Sequence, residues 1–269
     1  MTTLVQKEQQ IVDLLQQYQK VTIAFSGGTD STLLSYLAQK HLGNNAMAIT
    51  ISTPYVPQWE IQEARDLAQQ IGIQHKVIQL DIPHIIQNNP ADRCYLCKKE
   101  LFNQIIAAAR GNQCNTVMDG SNADDTSDYR PGMKALKELK VVSPLLLANI
   151  TKAEVRELSR KYNLPTSEKP AYACLLTRLP FDQPISIERL ESVEKAEVYL
   201  HQLGYKAVRV RTHDNVARIE LPLEQVKSFV QNEDIGKISH AIKEMGFQHV
   251  TIDLEGYATG SMNRQILSK

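Results

Sequence analysis

Between residues 21 and 164 the sequence alternates short apolar runs with segments of helical period, and this alternation limits the possible folds most strongly. The runs "VTIAF", "AMAITIS" and "HKVIQLDI" precede the helical segments "STLLSYLAQKHL", "QWEIQEARDLAQQIG" and "CKKELFNQIIAAARG", and "TVMDG" follows as a fourth strand. Strands that alternate with helices predict a parallel sheet covered on both faces. We therefore predict an α/β fold with a doubly wound parallel sheet, whose ligands bind at the carboxyl ends of the strands.

The rest of the chain divides at a proline-rich segment that begins after Leu164. Before it, "LKVVSPL" predicts a short fifth strand, and "TKAEVRELSRKYNL" predicts a helix capped by Thr151 with Glu154 three residues on. After it, a helix over 187–203 and three strand-like runs indicate a smaller C-terminal α+β domain. We predict three parts: a sheet domain over 1–165, a linker or active-site loop over 166–185, and the α+β domain over 186–269.

Charge and hydropathy exclude several classes of protein. Lys plus Arg and Asp plus Glu both number 30, so the chain has no broad basic field for nucleic acid. The N-terminal apolar residues are spaced rather than contiguous, and no run of about 18 apolar residues occurs. We therefore expect a cytoplasmic protein without a nucleic-acid or membrane partner, in which the four cysteines are metal-binding or reactive.

The hexapeptide "SGGTDS" lies between the first strand and its helix. A helix N-terminus attracts anions, and Gly27 and Gly28 let the backbone approach one closely. Asp30 beside a phosphate is consistent with a bridging Mg²⁺. The alternative is an ordinary capped turn. In this context the hexapeptide resembles the pyrophosphate loop of ATP pyrophosphatases, which adenylylate a substrate. The resemblance implies ATP and Mg²⁺ as cofactors and a binding loop composed of Ser26, Gly27, Gly28, Asp30, Ser31 and Thr32.

A second polar loop, "DGSNADDTSDYRPG", follows the fourth strand and should reach the same edge of the sheet. Asp119 and Arg130 are candidate ligands of ATP, since an arginine pairs well with phosphate. Asp124 and Asp125 are candidate ligands of Mg²⁺ together with Asp30. The alternative is a solvated turn rich in Asp, Asn and Gly.

Cys94 and Cys97 form a C-x-x-C pair just before the predicted helix, and Cys174 lies in the proline-rich segment. A zinc site, a redox-active dithiol and an iron–sulfur cluster held by three cysteines are all open interpretations. An open iron of such a cluster could hold an extra sulfide. Two unrelated buried thiols are the remaining alternative. Cys114 begins a strand and is interpreted as a small core residue.

Arg209 and Arg211 alternate on one predicted strand and therefore share a face. Two guanidinium groups on one face suit the phosphate of a mononucleotide, and Arg178 could serve similarly. The alternative is an exposed face that carries solubilising charge. Glu197 and Glu220 could belong to a subunit interface or to a metal site, and the sequence does not decide between them.

Four segments together resemble the LarE family of ATP-dependent sulfur transferases over nearly the whole length: "AFSGGTDSTLL", "DGSNADDTSDYRPGMKAL", "EKPAYACLLTR" and "VRVRTHDNVARIELP". The resemblance implies a pyrophosphate-loop fold, a small nucleotide substrate, pyridinium-3,5-biscarboxylic acid mononucleotide, and a homo-oligomer built from trimers, thus a trimer or a hexamer. It implies that Cys174 is catalytic, either by giving up its own sulfur or by holding a [4Fe-4S] cluster with Cys94 and Cys97.

We favour the cluster version because the C-x-x-C pair is present. A tRNA-thiolating enzyme, an ammonia-using amide ligase and a non-catalytic binding module are the alternatives to this function. The neutral net charge argues against the tRNA enzyme.

Overall fold

A computed structural model describes residues 2–126, 131–170 and 172–257. The chain divides into two compact units. The first consists of Met1–Ile85 and Asp92–Ala171, and the second of Ile86–Ala91 and Tyr172–Lys269. Within the described part, no helix has both the length and the apolar character needed to cross a membrane.

A parallel four-stranded sheet with flanking helices forms the first unit, which confirms the predicted fold class. Its order is β3-β2-β1-β4, so the first and fourth strands are neighbours. Because the chain leaves β1 towards β2 and returns on the other side of β1, the sheet has its topological switch point between β1 and β4. The strands are β1 Val21–Ala24, β2 Ala46–Ser52, β3 Gln74–Gln79 and β4 Val117–Met118.

Several helix ends of the first unit have clear capping residues. Gly72 ends α3 in the left-handed conformation, with φ of 77°, which glycine adopts without steric cost. Thr151 and Glu154 form the predicted capping box of α7. The helices are α1 Leu4–Tyr18, α2 Thr29–Leu42, α3 Gln58–Ile71, α4 Arg93–Gly111, α5 Gly132–Glu138, α6 Pro144–Leu147 and α7 Lys152–Lys161.

The core of this unit packs β1 between helices. Val21 and Ile23 are buried on β1, and Leu33, Leu34 and Leu37 of α2 belong to the same apolar cluster. A second cluster buries Cys114 beside Phe102 and Ile105 of α4, which confirms Cys114 as a small core residue. Burial of these side chains fixes β1 and α2, and therefore the loop that joins them.

Two sequence predictions in this unit need correction. "LKVVSPL" forms only an isolated parallel bridge between Val142 and Met118, because the chain turns into α6 at Pro144. The C-x-x-C pair does not precede its helix: Cys94 and Cys97 lie inside the first turns of α4, which begins at Arg93. Residues three apart on a helix share a face, so the two thiols are neighbours on α4.

The second unit contains a mixed three-stranded sheet of order β5-β6-β7, in which β5 pairs antiparallel with β6 and β6 pairs parallel with β7. Leu190, Val193 and Leu200 form the buried stripe of α8, at the spacing of one helix face. The elements are α8 Ile187–Gln202, β5 Arg209–His213, β6 Val216–Glu220, α9 Leu223–Asn232, α10 Ile235–Glu244 and β7 His249–Ile252.

Candidate functional site

The loops that follow β1 and β4 meet at the switch point of the first sheet. Gly120, two residues after β4, packs against the first turn of α2. A Cβ atom at this position would lie 2.9 Å from the backbone nitrogen of Ser31 and 3.1 Å from the backbone carbon of Asp30. Only glycine permits this approach. Local sequence patterns do not reveal the need for Gly120, because this need arises from a neighbour 89 positions away (120 − 31 = 89).

The loop after β1 leaves the N-terminus of α2 open. Gly28 is the N-cap and supplies no side chain to bond the first N–H groups of the helix. Gly27 has φ of 67° and lies against α3, where a Cβ atom would be 3.3 Å from Ala64. The hydroxyl groups of Ser26 and Ser31 are 3.1 Å apart. The helix N-terminus without a side-chain cap, the positive end of the helix dipole and the two hydroxyls together suit an anion.

Two further residues of the predicted loop differ in their surroundings. Asp30 is half-buried in the first turn of α2. Thr32 is completely buried, and its hydroxyl has no hydrogen-bond partner among the described residues. Because Thr32 has no exposed surface, it offers no atom to a phosphate in this structure.

Lys169 stabilises the loop between β1 and α2. Its Nζ donates to the carbonyl oxygen of Gly27 at 2.8 Å and to Oε2 of Glu63 at 2.7 Å, and only 10% of its side chain is exposed. The hydroxyl of Thr29 donates to the carbonyl oxygen of Thr166 at 2.9 Å. The segment around residues 166–169 therefore fixes the backbone of the loop. The sequence around Lys169 contains no local signal for this role.

Asp30 has two partners that sequence reasoning missed. Nδ2 of Asn122 donates to Oδ1 of Asp30 at 2.9 Å, and Nζ of Lys152 forms a very short ion pair with Oδ2. Asn122 follows β4 and Lys152 begins α7, so two separate segments converge on the carboxylate of a third. The pattern of the sequence contained no signal for this convergence, because the partners of Asp30 are about a hundred residues away along the chain.

The described carboxylates of the acidic loop, those of Asp119, Asp124 and Asp125, also have protein partners. Asp119 is buried and accepts from the hydroxyls of Ser121 and Ser143 at 2.5 Å each, and Nζ of Lys98 is 3.8 Å away. The described first part of the loop, residues 119–126, is therefore largely buried, in contrast to the alternative of a solvated turn.

Oδ2 of Asp125 accepts from the backbone N–H of Asn122 at 3.0 Å, and Oδ2 of Asp124 accepts from that of Lys152 at 2.8 Å. Arg130 lies outside the described residues. Across residues 2–126, 131–170 and 172–257, no three His, Cys, Asp or Glu side chains are grouped as a metal site would need.

All four cysteines lie in described residues, and none of them forms a disulfide. Cys94 is exposed, whereas Cys97 is half-buried, and its Sγ is 3.1 Å from the hydroxyl of Tyr55. Tyr55 follows β2 and is almost completely buried. A buried tyrosine hydroxyl needs a polar partner, and here a thiol provides it. Cys174 is half-buried in the second unit.

A chain of hydrogen bonds links β3 to the residue before the loop. The hydroxyl of Thr50 donates to the carbonyl oxygen of Phe25 at 2.7 Å, and Nε2 of His75 is 2.8 Å from the same hydroxyl. Because the hydroxyl of Thr50 donates its only hydrogen to the carbonyl oxygen of Phe25, Nε2 of His75 must donate to this hydroxyl. Burial, followed by the positive charge of Arg65, holds the pKa of His75 below its ordinary value of 6.5.

The predicted phosphate-binding arginines of the second unit are buried rather than exposed. Arg178, Arg209 and Arg211 are only 2%, 5% and 4% exposed, so the alternative of a solubilising strand face is wrong. Arg178 pairs with Glu197 through both carboxylate oxygens, and Nε of Arg211 bonds Oε1 of Glu220 at 2.6 Å. The two glutamates, whose roles the sequence left open, are thus the counter-ions of buried arginines.

Arg209 lies close to two aromatic rings. Its guanidinium carbon is 5.4 Å from the ring centre of Tyr172 and 5.4 Å from that of Tyr257. Burial, with a further contribution from the charge of Arg178, lowers the pKa of Arg209 from its usual value.

Comparison with known proteins gives two kinds of similarity. The family profile described as NAD synthase matches residues 4–114, which include β1, the glycine loop and α4 up to its end. NH(3)-dependent NAD(+) synthetase from Pyrococcus furiosus is 26% identical over 169 residues, 55% of this chain and 59% of the relative. This similarity concerns about half of the chain.

Two other relatives match nearly the whole chain. An uncharacterized protein from Synechocystis sp. is 45% identical over 253 residues, 93% of this chain and 94% of the relative. Pyridinium-3,5-bisthiocarboxylic acid mononucleotide synthase from Lactiplantibacillus plantarum is 35% identical over 266 residues, 98% of this chain and 96% of the relative. Both units of the fold are therefore shared with these proteins.

Proposed function

Because this chain belongs to the LarE family, with which it shares both units of the fold, we propose that it uses ATP to insert sulfur into pyridinium-3,5-biscarboxylic acid mononucleotide. The open N-terminus of α2 beside Asp30, at the switch point of the sheet, is the observation that carries this proposal. It offers a place for the phosphates of ATP at the edge where such sheets bind ligands.

In the first half-reaction a carboxylate oxygen of the substrate attacks the α-phosphorus of ATP, and pyrophosphate leaves. Backbone N–H groups at Gly28 and in the first turn of α2 stabilise the charge of the phosphates. Ser26 and Ser31 supply hydroxyl donors, and Lys169 keeps the loop in position through Gly27. The result is an acyl-adenylate, in which AMP replaces a poor leaving group.

The residues around Asp30 fit a magnesium ion. Mg²⁺ in nucleotide sites is held by one or two carboxylates plus phosphate oxygens, so a preformed group of three protein ligands is not needed. We assign Asp30 as the first carboxylate. Asp124 and Asp125 each give one oxygen to a backbone N–H, and they orient Lys152 and Asn122 around Asp30. When bound, Mg²⁺ would neutralise charge on the departing pyrophosphate.

In the second half-reaction a sulfur nucleophile attacks the acyl carbon, the bond to AMP breaks, and a thiocarboxylate forms. We propose that Cys94, Cys97 and Cys174 hold a [4Fe-4S] cluster, since thiolates are the ligands that such clusters take. The two thiols on one face of α4 support this assignment. When bound, the cluster would supply an exchangeable sulfide. In the competing mechanism, Cys174 loses its own sulfur and becomes dehydroalanine.

We propose that Arg209 and Arg211 bind the substrate phosphate, because they lie two residues apart on β5 and therefore share a face of the strand. We also propose a homo-oligomer, a trimer or a hexamer, in the cytoplasm, where thiols remain reduced. Light scattering of the purified protein measures its mass and would contradict this assembly if the particle were a monomer.

The test uses the full-length protein, isolated without oxygen and mixed with ATP, Mg²⁺ and the mononucleotide. Pyrophosphate and thiocarboxylate are measured together, and iron and acid-labile sulfide are counted per chain. Cys174→Ala should continue to release pyrophosphate but form no thiocarboxylate. Cys114→Ala, which changes a buried core cysteine, is the matched control and should retain both products.

Each outcome has a distinct meaning. Repeated turnovers with iron and sulfide present support the cluster, whereas one turnover with loss of H₂S from Cys174 supports the sacrificial mechanism. Thiocarboxylate formation by Cys174→Ala would remove Cys174 from the reaction. Release of pyrophosphate with ammonia as the only accepted nucleophile would indicate an amide ligase, and no pyrophosphate with any acid would indicate a binding module.

A further inference from the structure

The turn that carries Cys174 is unusually well fixed for a segment rich in proline. Cys174 begins a short 3₁₀ turn, Leu175–Arg178, in which Leu175 and Leu176 are buried. The backbone N–H and the hydroxyl of Thr177 both donate to the carbonyl oxygen of Cys174, at 3.1 Å and 2.9 Å. The backbone that carries the thiol is thus fixed by two hydrogen bonds within the turn.

Arg178 holds this turn from the interior. Its Nη1 donates to the carbonyl oxygen of Ala173 at 2.8 Å and to the hydroxyl of Thr177 at 2.7 Å, and lies 3.3 Å from the carbonyl oxygen of Cys174. Nε and Nη2 donate to the two oxygens of Glu197 at 2.8 Å and 3.0 Å. Four of the five N–H groups of a guanidinium are therefore used by these contacts.

Glu197 fixes the orientation of the Arg178 guanidinium. It projects from α8, and its Oε1 also accepts from the backbone N–H of Val210 on β5 at 2.9 Å. Burial alone would lower the pKa of Arg178, but the Glu197 carboxylate raises it above its usual value, so the pair stays charged. A planar guanidinium with a bidentate carboxylate partner has one well-defined orientation.

The far end of the turn is held in the same manner. Nη1 of Arg211 donates to the carbonyl oxygen of Thr177. Nδ2 of Asn89, a completely buried side chain, donates to the carbonyl oxygen of Pro180 at 2.7 Å and lies 3.3 Å from that of Leu179. The carbonyl oxygens of the turn and of the residues after it thus face buried donors.

We propose that Arg178 is a positioning residue for Cys174, with Glu197 as its anchor, and that it does not bind the substrate phosphate. Its donors are directed at the turn and at Glu197, which leaves at most one N–H group for any ligand. The inference rests on the proposed function only in that Cys174 handles the sulfur. The fixed orientation of the thiol itself is a property of the second unit.

The experiment compares two variants with a matched control in the full-length protein. Arg178→Lys keeps the positive charge but loses the fork that spans Glu197 and the turn. Thr177→Val keeps the shape and all charges but loses the hydroxyl that links Arg178 to Cys174. Thr251→Val removes a comparable hydroxyl, which lies 3.3 Å from the carbonyl oxygen of Ala217 on β6, at an exposed position away from the turn.

Two quantities are measured. The first is the rate of alkylation of each cysteine by iodoacetamide at one fixed pH, measured on full-length protein that carries no iron and resolved by mass spectrometry. A loosened turn exposes a half-buried thiol more often, so both variants should alkylate Cys174 about three- to tenfold faster, as expected for the loss of one hydrogen bond or more. Cys94 should be unchanged, and the buried Cys114 should stay unmodified as a reporter of unfolding.

The second quantity is the number of thiocarboxylates formed per pyrophosphate released, which a merely structural role would not change. Both variants should lower this ratio, whereas Thr251→Val should match the wild type in both measurements. Wild-type rates of Cys174 alkylation in both variants, with or without a lower unfolding temperature, would overturn the positioning role. If the wild type forms no thiocarboxylate, the proposed function fails, and the alkylation rates still decide whether Arg178 positions Cys174.

Discussion

Replacement of Gly120 by alanine tests the close contact between the loop after β4 and the first turn of α2. The added Cβ atom would lie 2.9 Å from the backbone nitrogen of Ser31 and 3.2 Å from Cβ of Asp30. Carbon atoms in contact normally stay about 3.5–4.0 Å apart, so one of the two backbones must shift by roughly half an ångström or more. Neither neighbour is the flexible end of a long side chain, so the contact cannot be relieved by a rotamer change.

The size of the effect follows from this overpacking, which costs about 1–3 kcal/mol. If the cost falls on the conformation that binds phosphates, affinity for ATP drops roughly 5- to 150-fold. If the overpacking energy instead lowers the free energy of unfolding, the unfolding temperature drops by about 2–4 °C for each kcal/mol. Gly111→Ala is the matched control, because a Cβ atom there would meet nothing within 4 Å.

The assay is calorimetric titration with a non-hydrolysable ATP analogue and Mg²⁺, combined with thermal unfolding of the same samples. Gly120→Ala should bind more weakly than both the wild type and Gly111→Ala. Binding within a factor of about two of the control, in a folded protein with unchanged unfolding temperature, would refute the reasoning, since overpacking must appear in one measurement or the other.

Two further changes test the surroundings of the same loop. Lys169→Met keeps the length of the side chain but removes two hydrogen bonds of a mostly buried cation, so thermal unfolding should show a loss of about 1.5–3 kcal/mol and titration a weaker affinity for ATP. The exposed pair Lys99–Glu138 is the control, and Lys99→Met should leave both unchanged. His75 has a lowered pKa in the folded state, so its contribution to stability is complete above its unfolded pKa near 6.5 and is lost as pH falls through the folded value. His75→Gln should therefore flatten the dependence of the unfolding free energy on pH below 6.5, and an unchanged slope in denaturant titrations would contradict this assignment.

The order of elements in the first unit could be predicted because hydrophobic period and capping residues are local. Thr151 with Glu154 predicts the start of α7, and Gly72 predicts the end of α3, and both predictions need only a few neighbouring residues. The fifth strand was predicted wrongly for the same reason. "LKVVSPL" has strand-like composition, but only Val142 finds a partner before Pro144 begins the next helix.

The surroundings of the candidate site were only partly predictable. The glycine loop and the carboxylates have recognisable spacing, but the partners of Asp30 come from segments that meet only in the folded chain. Alternation placed Arg209 and Arg211 on one face, yet it could not say whether that face is buried. Buried counter-ions such as Glu197 have the same appearance in a sequence as surface carboxylates.

Asn89 has a consequence for how this protein could be divided. It belongs to the short segment Ile86–Ala91, which lies between β3 and α4 in the sequence but belongs to the second unit. A C-terminal fragment that begins at Tyr172 would lack Asn89, and the carbonyl oxygens of Leu179 and Pro180 would lose their buried donor. The smaller unit therefore cannot be separated from the first by cleavage at one position in the chain. A gene fusion or deletion with a single junction could neither transfer the complete unit to another protein nor remove it completely. During synthesis, the segment Ile86–Ala91 is made first. About eighty residues of the other unit must then be made before the rest of the smaller unit, with which this segment packs, follows.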